Sequence, residues 1–186
     1  YTDTDVRNTL LKISKLPREN VFVGMDVITG FPGEDEQIFQ ETVDALKNLP
    51  WTRLHVFPYS ERAGTPATRL LNAVAPQIRK DRARLLNELS LNRMIERYSE
   101  IRRASAGHVL LKSVLFESVL RPKGQDQSFL SGYSVNYQRV WVPIADGFDP
   151  EKAFNKTFDV KAKTWAVDRV ANEVYWIAES FAPTAE

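Results

Sequence analysis

The apolar positions change their spacing several times along the 186 residues, and each change predicts a different element. Over residues 4–16, Val6, Leu10, Ile13 and Leu16 fall every three or four residues, as one face of a helix requires, and Pro17 ends that helix because its ring excludes continuation. The run from Val21 to Thr29 is short, largely apolar and closed by Gly30-Phe31-Pro32-Gly33, which predicts a strand buried on both faces. Helical spacing returns with Phe39, Val43, Leu46 and Leu49, and the acids Glu34, Asp35 and Glu36 suit the positive end of that helix. Leu54 to Phe57 predicts a second buried strand, leading into a loop from Pro58 to Pro66. Helix, strand, helix, strand with short links is the grammar of parallel α/β architecture. Two parallel strands cannot complete a domain, because a crossover helix needs a wider sheet, so the rest of a sheet or barrel is expected outside this chain.

From Pro76 to Arg103 there is no Gly or Pro inside a Leu- and Arg-rich stretch, which predicts one long helix or two short ones. Its apolar stripe is Leu85, Leu89, Met94, Tyr98 and Ile101, leaving Arg79, Lys80, Arg82, Arg84, Arg93, Arg97, Arg102 and Arg103 on the outside. Those cations are either a solvated helix face or contacts for RNA phosphates. After Gly107 the period shortens again. His108–Phe116, Tyr133–Val142, Thr157–Val167 and Glu173–Ala178 are rich in Val, Tyr, Trp and Phe and separated by Gly, Pro, Asn and Asp, predicting a small antiparallel barrel of four or five strands. The expected organisation is α/β followed by all-β, in three parts: 1–75, a basic helical connector at 76–106, and a β-barrel at 107–186.

Composition narrows the chemistry. With no cysteine the chain offers no thiolate nucleophile, disulfide framework, iron–sulfur cluster ligand or thiolate zinc site. The formal net charge is +1, so the whole molecule is no electrostatic magnet for nucleic acid, although residues 76–106 carry eight basic residues against four acidic ones. No apolar run approaches the roughly 20 residues that cross a bilayer, and the first residues have no signal-peptide pattern, so a cytoplasmic location is expected.

The strand, glycine turn and helix at Asp26-Val27-Ile28-Thr29-Gly30-Phe31-Pro32-Gly33-Glu34 could suggest phosphate binding. It lacks a Gly-Lys-Ser/Thr sequence, however, and its first helical turn carries three acids that repel an anion. The segment instead resembles the DxIxGxPGE motif on the fifth strand of radical-SAM methylthiotransferases. His55-Val56-Phe57-Pro58-Tyr59-Ser60-Glu61-Arg62-Ala63-Gly64-Thr65-Pro66-Ala67 is similar to the sixth-strand signature YSxRxGTxA of the same family, at a spacing that fits one crossover helix. Gly132-Tyr133-Ser134-Val135-Asn136-Tyr137-Gln138-Arg139-Val140 resembles the GYxxNYxRV segment of the TRAM domain that closes many of these enzymes. The string Leu54-His55-Val56-Phe57-Pro58-Tyr59-Ser60 is most similar to the branch that methylthiolates threonylcarbamoyl-adenosine beside the tRNA anticodon.

The resemblance implies the C-terminal half of a radical-SAM (TIM-like) barrel followed by an OB-like TRAM barrel. It implies S-adenosylmethionine and 4Fe-4S clusters in the full-length protein, with none held by this fragment alone, and tRNA and the missing N-terminal portion as partners. On that pattern Ile28 and Gly30 press on the adenosyl moiety, Phe57 and Tyr59 face the adenine, and Arg62 meets a carboxylate or phosphate, unless it pairs with Glu61 or Asp35. Asp26 and Glu34 take structural roles, Glu34 as a helix cap. His55 fills a polar niche and His108 opens a strand. In the TRAM-like part, Lys112, Lys123, Tyr133, Asn136, Tyr137 and Arg139 are the candidate RNA contacts, with half of Tyr133, Tyr137 and Trp141 facing the core by strand alternation. Two other readings remain: a non-catalytic RNA-binding module, and an enzyme acting on a ribosomal protein or another radical-SAM enzyme.

Overall fold

In the computed structural model, which describes residues 2–16, 21–124 and 126–184, the chain forms two units, Tyr1–Arg93 and Met94–Glu186. Helix α1 (Asp3–Ile13) opens the first through a reciprocal cap: the Thr2 hydroxyl accepts the Asp5 N–H, and the Asp5 carboxylate accepts the Thr2 N–H at 2.7 Å. It ends at Ser14, so Leu16 lies beyond it and is exposed, while Pro17 falls outside the described residues. Strand β1 (Gly24–Thr29), helix α2 (Glu36–Asn48) and strand β2 (Arg53–Pro58) follow. The strands pair in parallel from Gly24 opposite Arg53 to Thr29 opposite Pro58, with α2 as the crossover such pairing demands. Asp35, not Glu34, caps α2, its carboxylate accepting the Ile38 N–H at 2.8 Å.

The core of this unit joins Phe39, Val43, Leu46 and Leu49 to Leu10, Trp51, Leu54 and Leu86, with Met25, Val27 and Val56 packed against it. Burial along β1 alternates, and Gly24, Asp26 and Ile28 are exposed. The strands are therefore covered on one face only, which corrects the expectation of burial on both. Helices supply a single layer, and among the described residues no further strand joins the two-stranded sheet.

Helix α3 (Pro76–Ala104) is continuous, and its residues 76–93 belong to this first unit. Its buried line runs through Arg79, Arg82, Ala83, Leu86, Ser90 and Leu91, while Leu85 is exposed. Arg79 and Arg82, expected outside, are each only 6% accessible. Carbonyls and carboxylates near the strand ends receive their guanidinium donors, Arg82 Nε excepted, so most of the usual cost of burying a cation is offset by charge-assisted bonds. Arg93 likewise turns inward, stacked 3.6 Å above the Trp51 ring and donating to the carbonyls of Leu49 at 2.7 Å and Lys47 at 3.0 Å.

In the second unit, β3 (Val109–Leu120), β4 (Phe129–Tyr133), β5 (Arg139–Pro143), β6 (Thr157–Asp168) and β7 (Glu173–Pro183) close in the order β3-β4-β5-β7-β6. The barrel is not wholly antiparallel, because β5 and β7 run parallel. An odd number of strands cannot alternate direction around a closed ring, so one parallel pair is obligatory. Val114, Phe116, Leu130, Val140, Val160 and Trp176 fill the interior. Tyr98, from the last turns of α3, stacks on Trp176 with ring centroids 4.9 Å apart. Its hydroxyl accepts the Arg139 backbone N–H at 3.1 Å, and burial pushes its ionisation well above the ordinary tyrosine value.

Candidate functional site

At the carboxyl ends of β1 and β2, Ile28 stands directly opposite Phe57, and these side chains are 57% and 52% accessible on the uncovered face of the sheet. One step earlier on that face Asp26 stands opposite His55, which is exposed rather than seated in a polar niche. The chain then turns at Gly30, where φ is 73°. The Gly30 N–H donates to Glu34 Oε1 at 3.0 Å, and Arg82 donates to the same oxygen at 2.7 Å. Glu34 is thus a tie between the turn and α3, not the cap of α2.

Tyr59 follows β2, its N–H donating to the Thr29 carbonyl at 2.8 Å and its ring meeting Phe31 edge-on at 5.2 Å. Arg79 takes up this loop from the other side: Nη1 donates to the Tyr59 carbonyl at 3.0 Å, Nε to the Val74 carbonyl at 2.7 Å, and Nη2 pairs with Glu61 at 2.6 Å. The Arg79 hydrogen bond and charge hold the Glu61 carboxyl below its ordinary value. Glu61 therefore answers Arg79, and Arg62 lies exposed in the loop. Ile28, Gly30, Phe57 and Tyr59 are drawn to one end of the sheet, with Arg62 in the loop beyond.

The second group of candidates lies on the barrel. Tyr133 to Val142, expected as one strand, is a hairpin: β4 ends at Tyr133, β5 begins at Arg139, and residues 134–138 form its loop. Ser134 folds that loop, donating its N–H to the Gln138 carbonyl at 3.0 Å and its hydroxyl to Asn136 Oδ1 at 2.6 Å. Tyr137 takes a left-handed backbone, φ 55°, and is 66% accessible. Buried Gln138 accepts the Trp176 indole N–H at 2.6 Å, anchoring the loop's base in the barrel. By alternation from interior Val140 and Val142, Tyr133, Arg139 and Trp141 lie on the opposite face, where Trp141 is buried and Tyr133 half-buried. Trp141 is covered there by Tyr175, stacked at 3.7 Å.

Arg139 reaches the Tyr133 hydroxyl and pairs with Glu173 at 3.4 Å. Lys112 pairs with Asp159, whose carboxyl is held below its ordinary value by that bond first and by the Ser113 N–H second. Lys123 is exposed in the β3–β4 turn, away from the Ser134–Gln138 loop in sequence. The structure therefore gathers Tyr133, Asn136, Tyr137 and Arg139 around one hairpin, whereas Lys112 lies on β3 and Lys123 beyond it. Arg79 and Arg82 were missed by sequence reasoning. Two arginines one turn apart, with the acids Glu34 and Glu61 in the preceding loops and Glu36 at the start of α2, were the available signal.

A two-stranded parallel α/β unit with an open strand-end face is followed along the chain by a closed five-stranded barrel. No family model matches the chain. It is 44% identical over 78 residues to the threonylcarbamoyladenosine tRNA methylthiotransferase MtaB of Aquifex aeolicus, covering 42% of this chain and 19% of that protein. Against MtaB of Bacillus subtilis it is 35% identical over 141 residues, 75% of this chain and 29% of the relative. The tRNA-2-methylthio-N(6)-dimethylallyladenosine synthase of Lachnoclostridium phytofermentans is 32% identical over 132 residues, 71% of this chain and 27% of the relative. The chain belongs to the MiaB/MtaB-like family of tRNA methylthiotransferases. It spans less than a third of the length of these curated relatives.

Proposed function

We propose that this chain is the C-terminal portion of a tRNA methylthiotransferase that modifies threonylcarbamoyl-adenosine beside the anticodon. In this reading residues 1–75 are the far wall of a radical-SAM barrel, 76–106 connect, and 107–186 are a TRAM-like RNA-binding barrel. What carries it is the pair Ile28 and Phe57, two large apolar side chains facing each other across parallel strands and left accessible where α/β barrels hold their ligands. An adenosyl group has an apolar purine face that suits such a surface, with the Gly30 turn, itself buried against the Arg79 stem, ending the strand beside it and Tyr59 at the loop. S-adenosylmethionine would supply there the adenosyl group that abstracts hydrogen from the substrate. The donor set does not fit an iron–sulfur cluster: the chain has no cysteine, and no group of three or more His, Asp or Glu among the described residues could hold a metal. Cluster chemistry therefore belongs to a different part of the polypeptide, and this chain's share is to seat the cofactor and to hold tRNA.

On the barrel, Tyr137 with Tyr133 and Asn136 offers an aromatic and amide surface for unpaired bases, and Lys123 a phosphate contact. No helix among the described residues is long and apolar enough to cross a membrane. The test is nucleoside analysis of tRNA incubated with the full-length polypeptide, S-adenosylmethionine and a low-potential reductant. A methylthio mass increment on threonylcarbamoyl-adenosine is expected, reduced at least about tenfold by Phe57→Ala. Absence of any methylthiolated adenosine would overturn the assignment.

A further inference from the structure

We infer that Arg79 is the positioning residue of the strand-end site, the group through which α3 fixes the Gly30 turn and the Tyr59–Gly64 loop at the spacing that S-adenosylmethionine requires. The inference rests on the cofactor reading proposed above. All three guanidinium nitrogens are engaged, and in different directions: Nε with the Val74 carbonyl, Nη1 with the Tyr59 carbonyl and Nη2 with Glu61. The charged plane lies 5.1 Å from the centre of the Tyr59 ring. Its aliphatic stem lies against Gly30 so closely that a Cβ there would come within 2.3 Å of Arg79 Cγ. The backbone is tied in as well, since the Thr29 hydroxyl donates to the Arg79 carbonyl at 3.2 Å.

One residue thus touches the end of β1, the turn after it, the loop after β2 and the segment before α3. Arg82 reaches fewer of these: it holds the Gly30 turn only through Glu34, whose carboxylate also accepts the Gly30 N–H, and its other carboxylate partner is Glu36 at the start of α2. The fork is also not replaceable by a lysine, whose single ammonium on a flexible stem cannot serve three acceptors set in a plane and stack on a ring. Arg79 itself is buried, with its side chain 7% accessible, while Ile28 and Phe57 are open. It therefore acts on the site through Tyr59 and Gly30, not by contact with a ligand.

The test uses the full-length polypeptide with its cofactors. Arg79→Lys is expected to raise the KM for S-adenosylmethionine about tenfold while changing kcat less than about twofold. Amide hydrogen exchange should quicken at Tyr59 and residues 60–65 and stay unchanged at Phe39 and Val43 of α2. Glu61→Gln, which leaves Arg79 in place, should move both readouts the same way by a smaller factor, and it keeps the test open if the lysine variant does not fold. An unaltered KM in both variants, or exchange that quickens equally in α2, overturns the positioning role. Tyr59→Ala separates the two levels: if it raises the KM where Arg79→Lys does not, only the role of Arg79 fails. If neither variant moves the KM, the cofactor reading fails and the inference with it.

Discussion

Gly132 stands between Tyr133 and the barrel interior at a place where no side chain fits. A Cβ built there would lie 2.1 Å from the Leu115 carbonyl oxygen and 2.9 Å from Phe116 Cα, both backbone atoms that cannot swing aside. The strands meet at this point, Gly132 pairing with Phe116 beside the bulge between Phe116 and Ser118, where β3 bends around the barrel. Gly132→Ala is therefore expected to destabilise the barrel by about 3 kcal/mol or more, at or beyond the upper end of overpacking costs, because backbone must separate. Thermal denaturation followed by tryptophan fluorescence, through Trp176 in the core, checks it; a loss under about 1 kcal/mol would mean the strands part freely here. Gly30 meets a side chain instead. That difference explains what was legible at this scale: both glycines sit in motifs that read clearly from the sequence, but which atoms press on them is a property of the pairing. Burial of Arg79 was equally hidden, because its acceptors come from Tyr59, Glu61 and Val74, in loops whose course no local pattern specifies.

Among the elements, α2 was the most legible, since Phe39, Val43 and Leu46 recur at the spacing its buried face requires. What secures its far end was not. Arg93, on α3, donates to the carbonyls of Leu46, Lys47, Leu49 and Trp51, where the terminal carbonyls of a helix lack internal partners, and the Trp51 indole N–H reaches Leu46 as well. Arg93→Met keeps the stem and removes the donors, so it should cost about 2–3 kcal/mol, with Arg93→Lys recovering less than half. Urea denaturation of the two variants measures this directly, and equal stability of Arg93→Met and the parent would show that water serves those carbonyls as well.

The barrel strands carry a second, pH-linked tie. Asp159 on β6 accepts from Lys112 and from the Ser113 N–H on β3, and its carboxyl is held below the ordinary value in the folded state. A carboxyl depressed in this way stabilises fully above its unfolded value of about 3.9 and loses the contribution as pH falls through the lower, folded value. The melting temperature of Asp159→Asn should thus lie below that of the parent near neutrality, and the gap should close progressively below about pH 4. A gap that persists unchanged in acid would show that hydrogen-bond geometry, not charge, is what Asp159 supplies. The hairpin at 134–138 was misread as part of one strand because Tyr133, Val135, Tyr137 and Val140 favour strands. The turn is made by two small polar residues, Ser134 and Asn136, whose mutual bond replaces the ladder.

Across the whole molecule, charge sets how the proposed RNA partner would be held. The net charge is +1, and of the barrel's candidate cations Lys112 and Arg139 are already paired with Asp159 and Glu173, while Lys123 stands exposed. Such a surface releases few counterions on binding, so the logarithm of affinity should fall with the logarithm of salt at a slope of about −1 to −3, far shallower than that of a strongly basic protein. Affinity should instead depend on stacking: Tyr137→Ala is expected to cost about 1–3 kcal/mol at every salt concentration, whereas Lys123→Ala should mainly reduce the slope by about 1. Fluorescence anisotropy of a labelled anticodon stem-loop, titrated across about 50–300 mM KCl, distinguishes the two behaviours. A slope of about −6 or steeper would shift the weight from the hairpin to another basic surface. The exposed cations of α3, Lys80, Arg84 and Arg103, would then be the next to mutate, because Arg79 and Arg82 are spent on the strand ends and are closed to phosphate.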